Sequence, residues 1–171
     1  MPAWLGGMVV WTAMGIVLAG CAPGKSDATA TTIALKRGAC YGTCPVYTIE
    51  IQGDGMVTYD GAPSAMGGGT ATLGRQTGRA DQQGIDTLLA MVRAMDFYHL
   101  ADRYAAPVSD LPTNIVTVSI DGRTKTVIDY GGMRAGMPKA VRDLEAKIDE
   151  VAGTAQWLHP PAETGQETTG R

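Results

Sequence analysis

The chain has 171 residues, a formal net charge of −3, and 18% charged against 44% hydrophobic residues. That length suits one domain with a proper core, and a mildly acidic balance without a basic stripe argues against nucleic acid as a partner. No internal repeat and no long charge block divides it.

From Met1 to Gly20 there is no Asp, Glu, Lys, Arg or His, while Val9, Val10, Met14, Ile16, Val17 and Leu18 supply an apolar stretch. It closes on Leu18-Ala19-Gly20-Cys21, which reads as a lipobox: small residues ahead of the cysteine let a signal peptidase close around extended backbone. Residues 1–20 are thus expected to be a lipoprotein signal peptide and Cys21 the lipidated mature N-terminus. The protein would be held to the membrane by its lipid in a bacterial cell envelope, facing the periplasm. The segment lacks the usual positive charge of such a leader, which a start codon assigned too far downstream would explain. An uncleaved membrane anchor is the competing reading, since about 18 apolar residues can span a bilayer. Ala22, where inner-membrane lipoproteins of many Gram-negative bacteria carry Asp, favours the outer membrane. Residues 21–31 read as a lipidated flexible tether, 32–158 as a single domain, and 159–171 as a disordered tail opening His159-Pro160-Pro161.

Within the domain, Thr32 to Lys36 is a short candidate strand. Cys40 and Cys44 follow and, in an oxidising compartment, are expected to be joined. Gly42 gives the small ring backbone freedom and Pro45 fixes φ beyond it. Such a ring is a staple at the mouth of a strand, worth less than the ~3 kcal/mol of a 15-residue loop. A redox dithiol would normally be Cys-x-x-Cys at a helix N-terminus, one residue closer than here. A zinc site would need two more ligands, and the only histidines are His99 and His159. No metal site and no cofactor are implied.

Val46 to Gln52 alternates Tyr47, Ile49 and Ile51 on one face, and Gly53-Asp54-Gly55 turns the chain into Met56 to Asp60, a hairpin pattern. The Gly-rich stretch 61–69 is too irregular to cradle a phosphate and reads as a loop. Thr70 to Arg79 is a fourth candidate strand. Asp81 then suits the N-cap of a helix whose stripe is Ile85, Leu88, Leu89, Val92 and Met95. Phe97 to Tyr104 reads as a connection. Asn114 to Ile120 and Arg123 to Tyr130 flank Asp121-Gly122, a two-residue hairpin turn that sets Val116 opposite Val127 and Ile120 opposite Arg123. The second pairing is mixed, which leaves room for a bulge. A last helix opens after Gly136 with Pro138 in its first turn, buries Val141, Leu144, Ile148 and Val151, and closes at Gly153. Lys139 with Asp143 and Asp143 with Lys147 make i,i+4 pairs on its solvent side, and Trp157 is expected to fold back onto the body. The order βββ(β)-α-ββ-α predicts an α+β fold, an antiparallel sheet of five or six strands with two helices on one face.

Several separated segments agree in order with one family. They are Cys40-Tyr41-Gly42-Thr43-Cys44-Pro45-Val46-Tyr47, Gly53-Asp54-Gly55, Asp102-Arg103-Tyr104, Ser109-Asp110-Leu111-Pro112 and Lys125-Thr126-Val127-Ile128-Asp129-Tyr130-Gly131-Gly132. Together they resemble a bacterial domain family of unknown function, marked by a Cys-aromatic-Gly-x-Cys-Pro-x-Tyr segment and found in envelope proteins and lipoproteins. The resemblance covers about residues 32 to 158. It implies an envelope setting and transfers no catalytic residue.

Three functions follow as expectations. The leading one is a lipid-anchored, non-enzymatic binding or structural module for another envelope protein or component. It predicts an exposed apolar patch near Tyr41, Tyr47 and the Gly-rich loop, with no cleft of converging polar groups. The second is a small periplasmic enzyme or cation-binding domain using Asp102, Asp110 and Asp129, with His99 as its one candidate base. Against it, Asp110 suits an Asx-turn, Asp129 can bind loop amides and Asp102 with Arg103 can be a solvated pair. The third is thiol–disulfide exchange through Cys40 and Cys44.

Overall fold

The computed structural model describes residues 1, 31–64 and 72–158. The lipobox with Cys21, the tether, most of the Gly-rich loop and the tail from His159 lie outside the described residues. Among the described residues no helix is long and apolar enough to cross a membrane.

The strands are β1 (Thr32–Arg37), β2 (Val46–Gln52), β3 (Met56–Ala62), β4 (Gly74–Arg79), β5 (Arg103–Ala105), β6 (Thr113–Ile120) and β7 (Arg123–Tyr130). The helices are α1 (Gln82–Ala94), α2 (Lys139–Ala152) and the short α3 (Ala155–Leu158). All strands join one sheet in the order β4-β3-β2-β1-β6-β7-β5. The α+β class is as the sequence predicts. The sheet, however, has seven strands rather than five or six, because Arg103–Ala105 pairs with β7 inside the predicted connection, and it pairs in parallel. Three residues are too few to show an alternating pattern, and β7 supplies the hydrogen bonds that hold them.

Register arranges the helix-facing side chains in rows. One row reads Val57, Ile51, Ile33 and Val118 across β3, β2, β1 and β6, and ends on Lys125 of β7. The next is Tyr59, Ile49, Leu35, Val116 and Val127, all buried. Over these rows pack Ile85, Leu88 and Val92 of α1 and Val141, Leu144 and Ile148 of α2. The opposite face carries half-exposed threonines such as Thr48, Thr58, Thr117 and Thr126, as an antiparallel sheet with one solvated side allows.

Asp81 caps α1, its carboxylate accepting from the Gly84 amide at 2.6 Å. Gly84 also lets the helices approach, since a Cβ there would lie 2.9 Å from Val151 Cγ1. Pro138 stands at the N-cap of α2 rather than inside its first turn. Lys139 pairs with Asp143 as expected, but Lys147 turns to Glu150 at 2.6 Å, not to Asp143. The β6–β7 hairpin runs without a bulge, Ile120 opposite Arg123 and Val116 opposite Val127. Its mixed pair is accommodated because the Arg123 guanidinium lies 4.4 Å over the Tyr98 ring.

Trp157 of α3 does fold back, stacking on Tyr59 with centroids 4.8 Å apart over Gly78, where a Cβ would come within 3.2 Å of the indole. Trp157→Ala should therefore cost about 3–5 kcal/mol, read as a lowered urea midpoint at unchanged m-value.

Candidate functional site

A third row on the same face departs from the apolar pattern. Gly61, Tyr47, Arg37, Asn114 and Asp129 lie side by side across β3, β2, β1, β6 and β7. Above it α2 presents Arg142, Glu145 and Asp149, spaced i, i+3 and i+7 and so on one side of the helix. Arg37 joins the two layers: Nη1 donates to Glu145 Oε2 at 2.8 Å and Nη2 to Asp149 Oδ2 at 2.7 Å. Tyr47 Oη donates to Asp149 Oδ1 at 2.9 Å, and Asn114 Nδ2 to Glu145 Oε2 at 2.9 Å. Arg142 Nε stands 2.5 Å from Asp129 Oδ2, within ion-pair range but off the line of a hydrogen bond, so the contact is electrostatic. Asp129 Oδ1 accepts from the Gly132 amide at 2.7 Å.

The balance is two guanidiniums against three carboxylates, with Glu145 only 1% exposed. Burial raises its carboxyl to about 7 and Asp129 adds to the effect, against the opposing pull of Arg37, Arg142 and the Asn114 hydrogen bond. Its Oε1 has no hydrogen-bond partner, which is where a proton can reside. For Arg37, burial pulls the guanidinium down, but Asp149 and Glu145 outweigh it and the net shift is upward. The Tyr47 phenol is raised by burial and then by Asp149.

Beside Tyr47, Arg37 and Asn114, the middle of this row, lies a cavity of about 340 Å³. Gly38, Cys44 and Pro45 wall it on one side and Pro112 on another, with Arg142 and Asp149 above. Cys40 and Cys44 are joined, Cα–Cα 5.6 Å. Of their ring Cys44 lines the cavity, and Gly42 takes a φ of 152° that favours glycine. Tyr41, at the ring's tip, is 74% exposed. Tyr47 is not part of an exposed patch as the sequence reading has it: it is buried, and polar groups converge beside it.

Residues 31–152 match a family described as a domain of unknown function (DUF6438). The chain belongs to that family. No curated protein matches it. The DUF6438 match contains the Cys40–Tyr47 segment and the Pro112 stretch, which meet at the cavity.

The sequence-predicted polar residues of the DUF6438 domain do not meet one another. Asp102 is 87% exposed and pairs with Lys125, which also donates to the Leu100 carbonyl at 2.6 Å. The Asp102 carbonyl accepts from the Ile128 amide at 2.9 Å, next to Asp129 on β7, but the Asp102 carboxylate turns to Lys125 while that of Asp129 turns to Gly132 and Arg142. Asp110 is exposed at a φ of 69° and accepts from Ser109 Oγ at 2.8 Å. His99 is exposed, its Nδ1 2.7 Å from Asp96, in a separate groove of about 550 Å³ beside Tyr98 and Arg123. Among the described residues no three of His, Cys, Asp and Glu are placed to hold a metal ion. Of the four, only Asp129 belongs to the polar row. Arg37, Asn114, Arg142, Glu145 and Asp149 escape a reading that weighs motifs, but they leave a signal: each is a polar residue at a core-facing period of its element.

Because the folded protein holds the Glu145 proton more tightly than the unfolded chain does, this group's stabilisation is full below 4.5 and is lost as pH rises through about 7. Thermal unfolding should therefore come lower at about pH 8 than at about pH 5, and Glu145→Gln should flatten that difference. An unchanged slope in the variant would assign the pH dependence elsewhere.

Proposed function

We propose that this is a lipid-anchored binding domain of the bacterial envelope, held by Cys21 and facing the periplasm, that takes its ligand or partner at the disulfide end. The observation that carries the reading is an exposed Tyr41 on a covalently closed loop whose Cys44 lines a cavity walled in part by Arg37, Asn114, Arg142 and Asp149. The tether enters at Thr32, the opposite end of β1 from Arg37, so that five residues of strand, about 17 Å, separate the anchored end from the cavity row. A domain so tied can present the loop away from its lipid.

Binding rather than catalysis is favoured by the state of the lining groups. Arg37 and Asp149 hold each other, Tyr47 donates to Asp149, and the sulfur of Cys44 is in the disulfide. The cysteines lie between β1 and β2 and not at a helix N-terminus, which supports a staple over a redox centre.

Palmitate labelling should disappear in Cys21→Ala; labelling that persists would remove the lipid anchor from the proposal. Cys44→Ser should lower the melting temperature without trapping mixed disulfides in cells. A photo-crosslinking side chain at Tyr41 should give a discrete adduct in native membranes, and one at Thr58 on the open sheet face should not. Equal labelling from both positions would count against a site at the disulfide end.

A further inference from the structure

The cavity offers two kinds of hydrogen-bonding group that the protein itself does not use. Asn114, 2% exposed, lines it, and its Oδ1 has no partner although its amide nitrogen donates to Glu145. Leaving a buried carbonyl unmet is unfavourable, so a donor belongs beside it. Arg142, 39% exposed, also lines the cavity. Only its Nε is engaged, and its two Nη groups have no partner among the described residues. A guanidinium fork in that state matches a carboxylate bidentately. Tyr47 Oη, which donates to Asp149, keeps lone pairs that can accept.

An acceptor at depth and a donor fork at the wall, on β6 and α2, call for a ligand with a donor and a carboxylate close together. Charge narrows the class. Arg37 and Arg142 face Asp129, Asp149 and Glu145, so the cluster already lies between −1 and neutral according to the Glu145 proton. A simple carboxylate would add uncompensated negative charge and a simple amine would leave the Arg142 fork unmet. A zwitterion meets both groups and adds no net charge. The volume, about 340 Å³, is at the small end of the range for ligand pockets.

Deepening the binding-domain reading on which it rests, we propose that the cavity beneath the disulfide loop binds an α-amino carboxylate, its ammonium on Asn114 Oδ1 and its carboxylate on the Nη groups of Arg142. The same headgroup occurs on a free amino acid and on the end of a longer side chain carried by a larger molecule. Pro45 and Pro112 in the lining offer apolar surface along which such a stem could leave.

The test is calorimetric titration of the full lipidated chain in detergent micelles with alanine, Nε-acetyl-lysine, acetate and methylammonium. Alanine or Nε-acetyl-lysine should bind with a dissociation constant of about 1 mM or below, acetate and methylammonium at least about tenfold more weakly. Tighter binding of Nε-acetyl-lysine assigns the headgroup to a larger molecule, and tighter binding of alanine to a free amino acid. Arg142→Lys keeps a cation beside Asp129 but loses the fork, and should lower affinity about tenfold at an unchanged melting temperature. Should that variant unfold, the Asn114 side-chain amide resonances of the unaltered protein give the answer, since the ligand should shift them. No binding by either amino acid leaves the cavity to ordered water and overturns the proposal, as does acetate binding equally well or Asn114 resonances that do not move. The Tyr41 adduct does not depend on amino acids, so its presence with no amino-acid binding would remove this ligand and retain the binding domain.

Discussion

Arg37 stands at the end of β1, the strand between β2 and β6, and bridges Glu145 and Asp149, four residues apart on α2. Its fork matches two carboxylates one helical turn apart, which fixes α2 in both translation and rotation over the sheet. Separating them would be costly, because Glu145 is buried and would lose the charge-assisted hydrogen bond from Arg37 with no water to replace it. A slip of β1 by one residue would carry Arg37 to the open face and strand both carboxylates. The apolar rows make burial favourable; the arginine determines which register is buried.

The two ends of the sheet differ in consequence. Toward Thr32 the rows are apolar but for Lys125 at one edge, and the hairpin turns are tight. Toward Arg37 the row is polar, and the chain leaves β1 into a covalently closed ring. The Gly38 amide donates to the Thr113 carbonyl at 2.9 Å and that of Tyr41 to Asp110 at 3.4 Å, so the ring rests against the loop that enters β6. The disulfide therefore supports one wall of the cavity through a neighbouring loop, and Tyr47, Arg37 and Asn114 of the polar row line it.

Much of the fold was legible because its signals are local. The stripe of α1 with its Asp81 cap, the stripe of α2 ending at Gly153, and the hairpin at Asp121-Gly122 each lie within a few residues of chain. What was lost had no local signal. Strand β5 is three residues held by β7. The missing bulge at Ile120 and Arg123 depends on Tyr98, more than twenty residues away in sequence. The candidate site shows the same division. Cys40, Cys44 and Tyr41 were visible as a motif, and Asp129 as a carboxylate in an apolar stretch, yet its partner is Arg142 and not Asp102 or Asp110. Glu145 falls within the apolar stripe of α2, a visible anomaly whose meaning depends on a strand 108 residues earlier.

By itself the sequence determined the class of the fold, the places of its helices and principal strands, and the cysteine pair, since periodicity, capping and turn chemistry act over one or two turns of chain. The joining of Arg37, Asn114 and Asp129 with Arg142, Glu145 and Asp149, and the cavity beside them, was decided only by the tertiary structure. Strand order and register bring these residues into one row, and the energy of a buried charge depends on what is packed against it rather than on its neighbours in sequence.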